Sequence, residues 1–183
     1  TTPKVVFGKD ELIGGSFFMN DGQEIKQGLA NLGKEDKDFP VRSLLNISKS
    51  EPGTHSFAYE IVKTIAPNNK SIKYFADKKE IDINFERQNL PLIIKAEELL
   101  ADTSNTYLNY LENKIVIVGS LDDNGKDMHL VPNASYNLTN EEDTFYTEIS
   151  GPFIHAIAIS NLLDGKIIKS SSLFNWFLFA VIF

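Results

Sequence analysis

The chain reads as an α/β fold: a mixed, mainly parallel sheet covered by helices, followed by the start of a transmembrane helix. Three features predict it. Segments with helical apolar spacing alternate with short strand-like runs, the pattern of a sheet with helices laid on it. Ile115-Val116-Ile117-Val118 is apolar at every position, as an interior strand of a parallel sheet would be. The closing stretch, Leu173 to Phe183, has Asn175 as its one polar residue.

Taken in order, Val5-Val6-Phe7 and Ile13 to Met19 are apolar runs, read as an exposed strand, a hinge and a second strand. That second strand enters Asn20-Asp21-Gly22, residues that supply the positive φ of a tight turn. Gln23 to Asp38 is polar and interrupted by Gly28 and Gly33, so it reads as a connector or irregular hairpin. Val41 to Ile47 reads as a strand. Ser50 to Thr54 reads as a turn with Thr54 as helix N-cap. Phe57, Ala58, Ile61, Val62 and Ile65 then recur at helical spacing until Pro67-Asn68-Asn69 ends the run.

Ile72 to Phe75 is a short element, and Glu80 to Phe85 alternates polar and apolar residues like a half-buried strand. Leu90-Pro91 opens a predicted helix whose buried stripe would be Leu92, Ile93, Ala96, Leu99 and Leu100, broken at Asp102 to Thr106. Asn113 to Ser120 is the predicted central strand. A polar turn and a long acidic loop follow it, containing Asp127 to Pro132. The last predicted helix has Pro152 in its first turn and Gly165 at its C-cap, each where helix termini favour those residues.

Composition narrows the function. With 183 residues, 42% of them hydrophobic, a single domain with a sizeable core is the default. The formal net charge of -7 and the lack of any Lys/Arg cluster exclude a nucleic-acid partner. There is no cysteine, which removes disulfides, thiol nucleophiles and thiolate metal sites together.

Candidate site residues gather around the predicted central strand: Gly119, Ser120, Asp127, His129 and His155. Ligand sites in open α/β sheets collect at the carboxyl ends of strands. Gly119-Ser120 at such an end offers backbone N–H groups to an anionic group, although a glycine that only lets the chain turn explains the same residues. Asp127 either caps a neighbouring helix or fixes its loop by bonding backbone amides, or else it orients His155 at a pocket. His155 itself, early on an apolar helix, has a structural reading as a hydrogen-bond donor to a strand-end carbonyl or to Asp127. The two histidines and Asp127 lack the spacing of a metal site. Ser120 lacks the Gly-x-Ser-x-Gly elbow of a nucleophile, so no enzyme activity and no cofactor are expected.

Several of these stretches together resemble a known family. Lys114 to Ser120 (Lys-Ile-Val-Ile-Val-Gly-Ser), Asp127 before Pro132, Gly151-x-x-x-His155-Ala156 and Leu162-Leu163-x-Gly165 fall in the order found in CHASE2 domains. Phe39-Pro40-Val41-Arg42 and Ile81 to Phe85 are weaker matches upstream. CHASE2 domains are extracytoplasmic sensor modules of bacterial membrane receptors. The strand, acidic turn and helix that usually open such domains are not recognisable, so the chain is expected to lack the family's N-terminal part.

The resemblance implies a non-catalytic sensory domain at residues 1–169, on the periplasmic side of the inner membrane. Residues 170–183 would begin the membrane helix that passes the signal inward. That run is shorter than the roughly 20 apolar residues of a full span, and Trp176 stands where an interfacial aromatic anchor would. The expected partners are an unidentified small molecule or envelope stimulus, the membrane, and a second copy in a homodimer. The alternative is a periplasmic structural, dimerisation or partner-docking module without a small-molecule ligand, to which an exposed apolar edge at Val5 to Phe7 would suit.

Overall fold

The computed structural model describes residues 6–9, 26–30, 32, 40–47, 53–85, 92–119, 127–132, 146–166 and 168. Their elements run β1 (Val6–Lys9), β2 (Lys26–Leu29), β3 (Ser43–Leu45), α1 (Phe57–Ile65), α2 (Lys70–Phe75), β4 (Glu80–Asp82), α3 (Ala96–Ala101), α4 (Thr106–Leu111), β5 (Met128–Pro132), β6 (Tyr146–Ser150) and α5 (Gly151–Asp164). Helices and strands are thus mixed. The described strands form three two-stranded pairs. β1 and β2 are parallel, whereas β3–β4 and β5–β6 are antiparallel, with Leu44 opposite Ile81 and Met128 opposite Ser150.

The core is where sequence and structure agree best. Ser56, extended at ψ 152°, caps α1 by accepting from the Tyr59 amide at 3.2 Å, two residues beyond the expected Thr54. Its hydroxyl also donates to Asn46 Oδ1 at 3.2 Å. Asn46 is fully buried and spends both amide hydrogens on the carbonyls of Phe75 and Lys78, at 2.8 and 2.9 Å. One side chain therefore ties β3, α1 and the turn after α2 together. Ala58, Ile61 and Val62 of α1 are buried as their spacing predicts, and α1 packs against α5 and the β1–β2 pair. In and after β4, Ile81, Ile83 and Phe85 are buried while Glu80 is exposed, so the alternation holds. The Val41 amide donates to the Leu130 carbonyl at 2.7 Å, joining the approach to β3 to β5.

Four expectations are corrected. A mainly parallel sheet is not what the described strands form; only β1–β2 is parallel, and its second strand lies within the presumed connector 23–38. The run 115–119 is no central strand: it belongs to no ladder, Ile115 and Val116 are exposed, Val118 is 94% exposed, and only Ile117 touches the core. Apolar patterning states what a segment would need around it; it does not supply the neighbouring strands. The stripe of Leu92, Ile93, Ala96, Leu99 and Leu100 is exposed throughout: Leu92 and Ile93 precede the helix, and the other three lie on a helix of six residues with no side-chain N-cap. Finally, Met128–Pro132 is a strand paired with β6, not part of a long loop.

Among the described residues no helix is long and apolar enough to cross a membrane. The expected membrane segment 170–183 lies outside those residues, as does Ser120.

Candidate functional site

The site is built where β6 runs into α5 without a linker. Pro132 cannot donate to a ladder, so it suits a strand's last position, and it closes β5 opposite Tyr146. The register then sets Met128 against Ser150, which leaves Asp127 beside the first residue of α5. The Gly151 amide donates to the Asp127 carbonyl at 2.9 Å. The Asp127 carboxylate is equally close: a β-carbon on Gly151 would stand 2.5 Å from Oδ1 and 2.8 Å from Oδ2. Any other residue there would have to push the Asp127 side chain aside. Gly119 meets the same end of the helix from the other direction, where a β-carbon would overlap the Pro152 ring.

This arrangement has an electrostatic logic. Ser150 occupies the N-cap position of α5 but makes no side-chain capping bond. The carboxylate of Asp127 brings a negative charge to the partial positive charge of the helix N-terminus, an interaction of about 0.3–1 kcal/mol at a solvent-accessible end. His129 completes the cluster from β5, its Nε2 lying 3.0 Å from Asp127 Oδ1.

His155 sits one turn further along α5 and is nearly buried, with 7% of its surface exposed. Its Nε2 donates to the Ala30 carbonyl at 3.1 Å, just past the end of β2, and Phe57 meets the ring edge-on at 5.5 Å. A carbonyl can only accept, which assigns the proton to Nε2 and leaves a lone pair on Nδ1. Among the described residues no hydrogen-bond partner reaches that buried Nδ1. Burial pushes the His155 pKa down; the Ala30 bond and the Asp127 charge oppose this, and His129 adds to it.

The structure thus brings Gly119, Asp127 and His129 to one helix end, together with Gly151 and Pro152. His155 feels the charges of Asp127 and His129 but binds a backbone carbonyl instead of the carboxylate. No described group of three or more His, Asp or Glu side chains could hold a metal ion. Gly151 escaped the reading from residue chemistry because its role depends on the β5–β6 register; its place in the Gly-x-x-x-His-Ala motif was the available signal. His55, the third histidine, lies just before α1. The acid five residues later, Glu60, was the overlooked cue.

No curated protein and no solved structure matches the chain. The family model described as CHASE2 domain matches residues 3–183, so the chain belongs to the CHASE2 domain family, a family of extracytoplasmic sensory domains.

Proposed function

We propose that the chain is the sensory domain of a bacterial membrane-anchored signalling protein, with residues 1–169 on the periplasmic side of the inner membrane. Residues 170–183 begin the membrane helix, and the domain carries out no chemistry of its own. The carrying observation is the family membership over residues 3–183. The course of α5 is consistent with it: the helix starts at the Asp127–Gly151 contact and ends at Gly165, a few residues before the apolar tail. Gly119, Ser120, Asp127, His129 and His155 would form the ligand site. A stimulus acts there by binding two positions of α5 with different affinity, since equal affinity shifts no equilibrium.

A thermal-shift screen of the protein against small metabolites, anions and divalent cations tests this reading. A compound present at 100 times its dissociation constant adds about 2.7 kcal/mol of stability. A stabilising compound whose effect disappears in Asp127→Ala supports the site; a stabiliser indifferent to Asp127→Ala and His129→Ala removes it.

The exposed apolar side chains from Leu92 to Val118 favour a second reading, a module that pairs with another copy of itself. Concentration-dependent association without any ligand, weakened by Val118→Asp, would favour that alternative.

A further inference from the structure

We propose that His55 is a proton-operated clasp that binds α1 to the end of α2, closed in acid and released as the pH rises. The ring of His55 lies just before α1, stacked on Tyr59 with centroids 4.4 Å apart. Its Nε2 is 3.1 Å from the carbonyl of Ala76, the C-cap of α2. Its Nδ1 is 3.3 Å from Glu60 Oε1, close enough for an ion pair although not aligned as a hydrogen bond. Both ring nitrogens therefore face oxygens that can only accept. A neutral imidazole has one N–H and must turn a lone pair toward one of them, whereas the imidazolium offers an N–H to each. The geometry suits the charged ring.

Solvent is a poor substitute partner here, since the side chains of His55 and Glu60 are only 15% and 11% exposed. Among the described residues few charges lie nearby. Lys63 on α1 stands 3.7 Å from Glu60 Oε1 and 5.7 Å from the centre of the Tyr59 ring, and it opposes a charge on His55. Asp77, after the α2 cap, acts on the Tyr59 phenol. Tyr59 donates its hydroxyl to the Ile72 carbonyl of α2 at 3.3 Å. The Glu60 contact first, and then the Ala76 carbonyl, raise the His55 pKa, with burial and Lys63 opposing.

The clasp has a route to α5. α2 is six residues long: its C-cap carbonyl is held by His55, and its N-cap, Asn69, donates from Nδ2 to the Leu163 carbonyl of α5 at 3.2 Å. A neutral ring that keeps its one N–H on the Glu60 carboxylate turns a lone pair to the Ala76 carbonyl, and loosening that end of so short a helix lets the other shift against α5. That this shift serves as an input rests on the sensory reading above.

The sign follows from linkage. A histidine whose folded-state pKa lies above its unfolded value contributes stability fully below that value, and loses it as the pH rises through the folded one. An NMR titration of the histidine rings in the whole protein, with and without Glu60→Gln, tests the clasp. The expected result is a His55 midpoint above 6.5 that falls in Glu60→Gln. In addition, His55→Gln should lower Tm near about pH 5 and much less near about pH 8. A wild-type midpoint at or below 6.5, or a Tm difference independent of pH, overturns the proposal. The wild-type titration needs no variant to fold, and it is blind to ligands. A failed clasp therefore leaves the sensory reading standing, while failure of that reading shows in the ligand screen.

Discussion

Helices α1 and α3 carry the same kind of apolar spacing and end in opposite circumstances. α1 begins at a serine that satisfies both an amide of its own first turn and a buried asparagine, and it lies on α5. α3 begins at Lys95, which has no capping bond, and leaves Leu99 and Leu100 in solvent. Apolar residues become core only when polar groups at the helix ends are also provided for and a second surface is present. A helix of nine residues is still below the roughly 12–15 at which isolated helicity becomes stable in water, so α1 is held by its surroundings more than by its own propensity.

The largest effect expected from this contrast is at Leu162. It is 0% exposed on α5, while Leu100 is 87% exposed on α3. Leu162→Ala should cost about 2–5 kcal/mol in chemical denaturation, and Leu100→Ala within about 0.5 kcal/mol. Equal losses at the two positions would mean that α3 is packed in solution and the contrast is false.

Next in size is Asn46→Ala. It strips donors from the buried approach to two carbonyls and removes a partner of Ser56. Each buried polar group left unsatisfied costs about 1–3 kcal/mol, so the loss should exceed the roughly 1 kcal/mol of removing the α1 cap alone with Ser56→Ala. Stability curves of the two variants and of the double variant would show the coupling, because the double loss should be less than the sum.

The smallest effect separates two histidines. Burial holds the His155 pKa below its ordinary value, so its stabilising contribution is present above the unfolded value and lost as the pH falls through the folded one. His55 has the opposite sign. His155→Leu should therefore flatten the acid limb of the Tm–pH curve, and His55→Gln the alkaline decline. Variants that alter the same limb would contradict the two assignments.

Local punctuation made α5 legible from sequence: Pro152 early and Gly165 at the end mark its limits to within a residue or so. α1 and the alternation at Glu80–Phe85 were legible from periodicity, which matches burial at Ala58, Ile61 and Val62 and at Ile81, Ile83 and Phe85, though Ile65 at the end of α1 is exposed. β5 was not, because a five-residue strand ending in proline next to an acidic stretch carries no strand signal of its own and is defined by its pairing with β6. The candidate site inherits that limit. Its residue types were visible, but the contact of Asp127 with Gly151 exists only because of the register, and His155 turned out to serve a carbonyl from β2's end, some 125 positions away in sequence.

The end of α5 sets where its helical bonding stops. Gly165 adopts φ 69°, ψ 18°, and both its amide and that of Lys166 fold back onto the Asn161 carbonyl. Asn161 in turn grips the Asn84 carbonyl with its side chain. A left-handed residue ends the helical hydrogen-bond ladder of α5 there. The backbone ladder of α5 therefore closes on Asn161 at Gly165 and Lys166, so no helical hydrogen bond runs on from α5 past that point among the described residues.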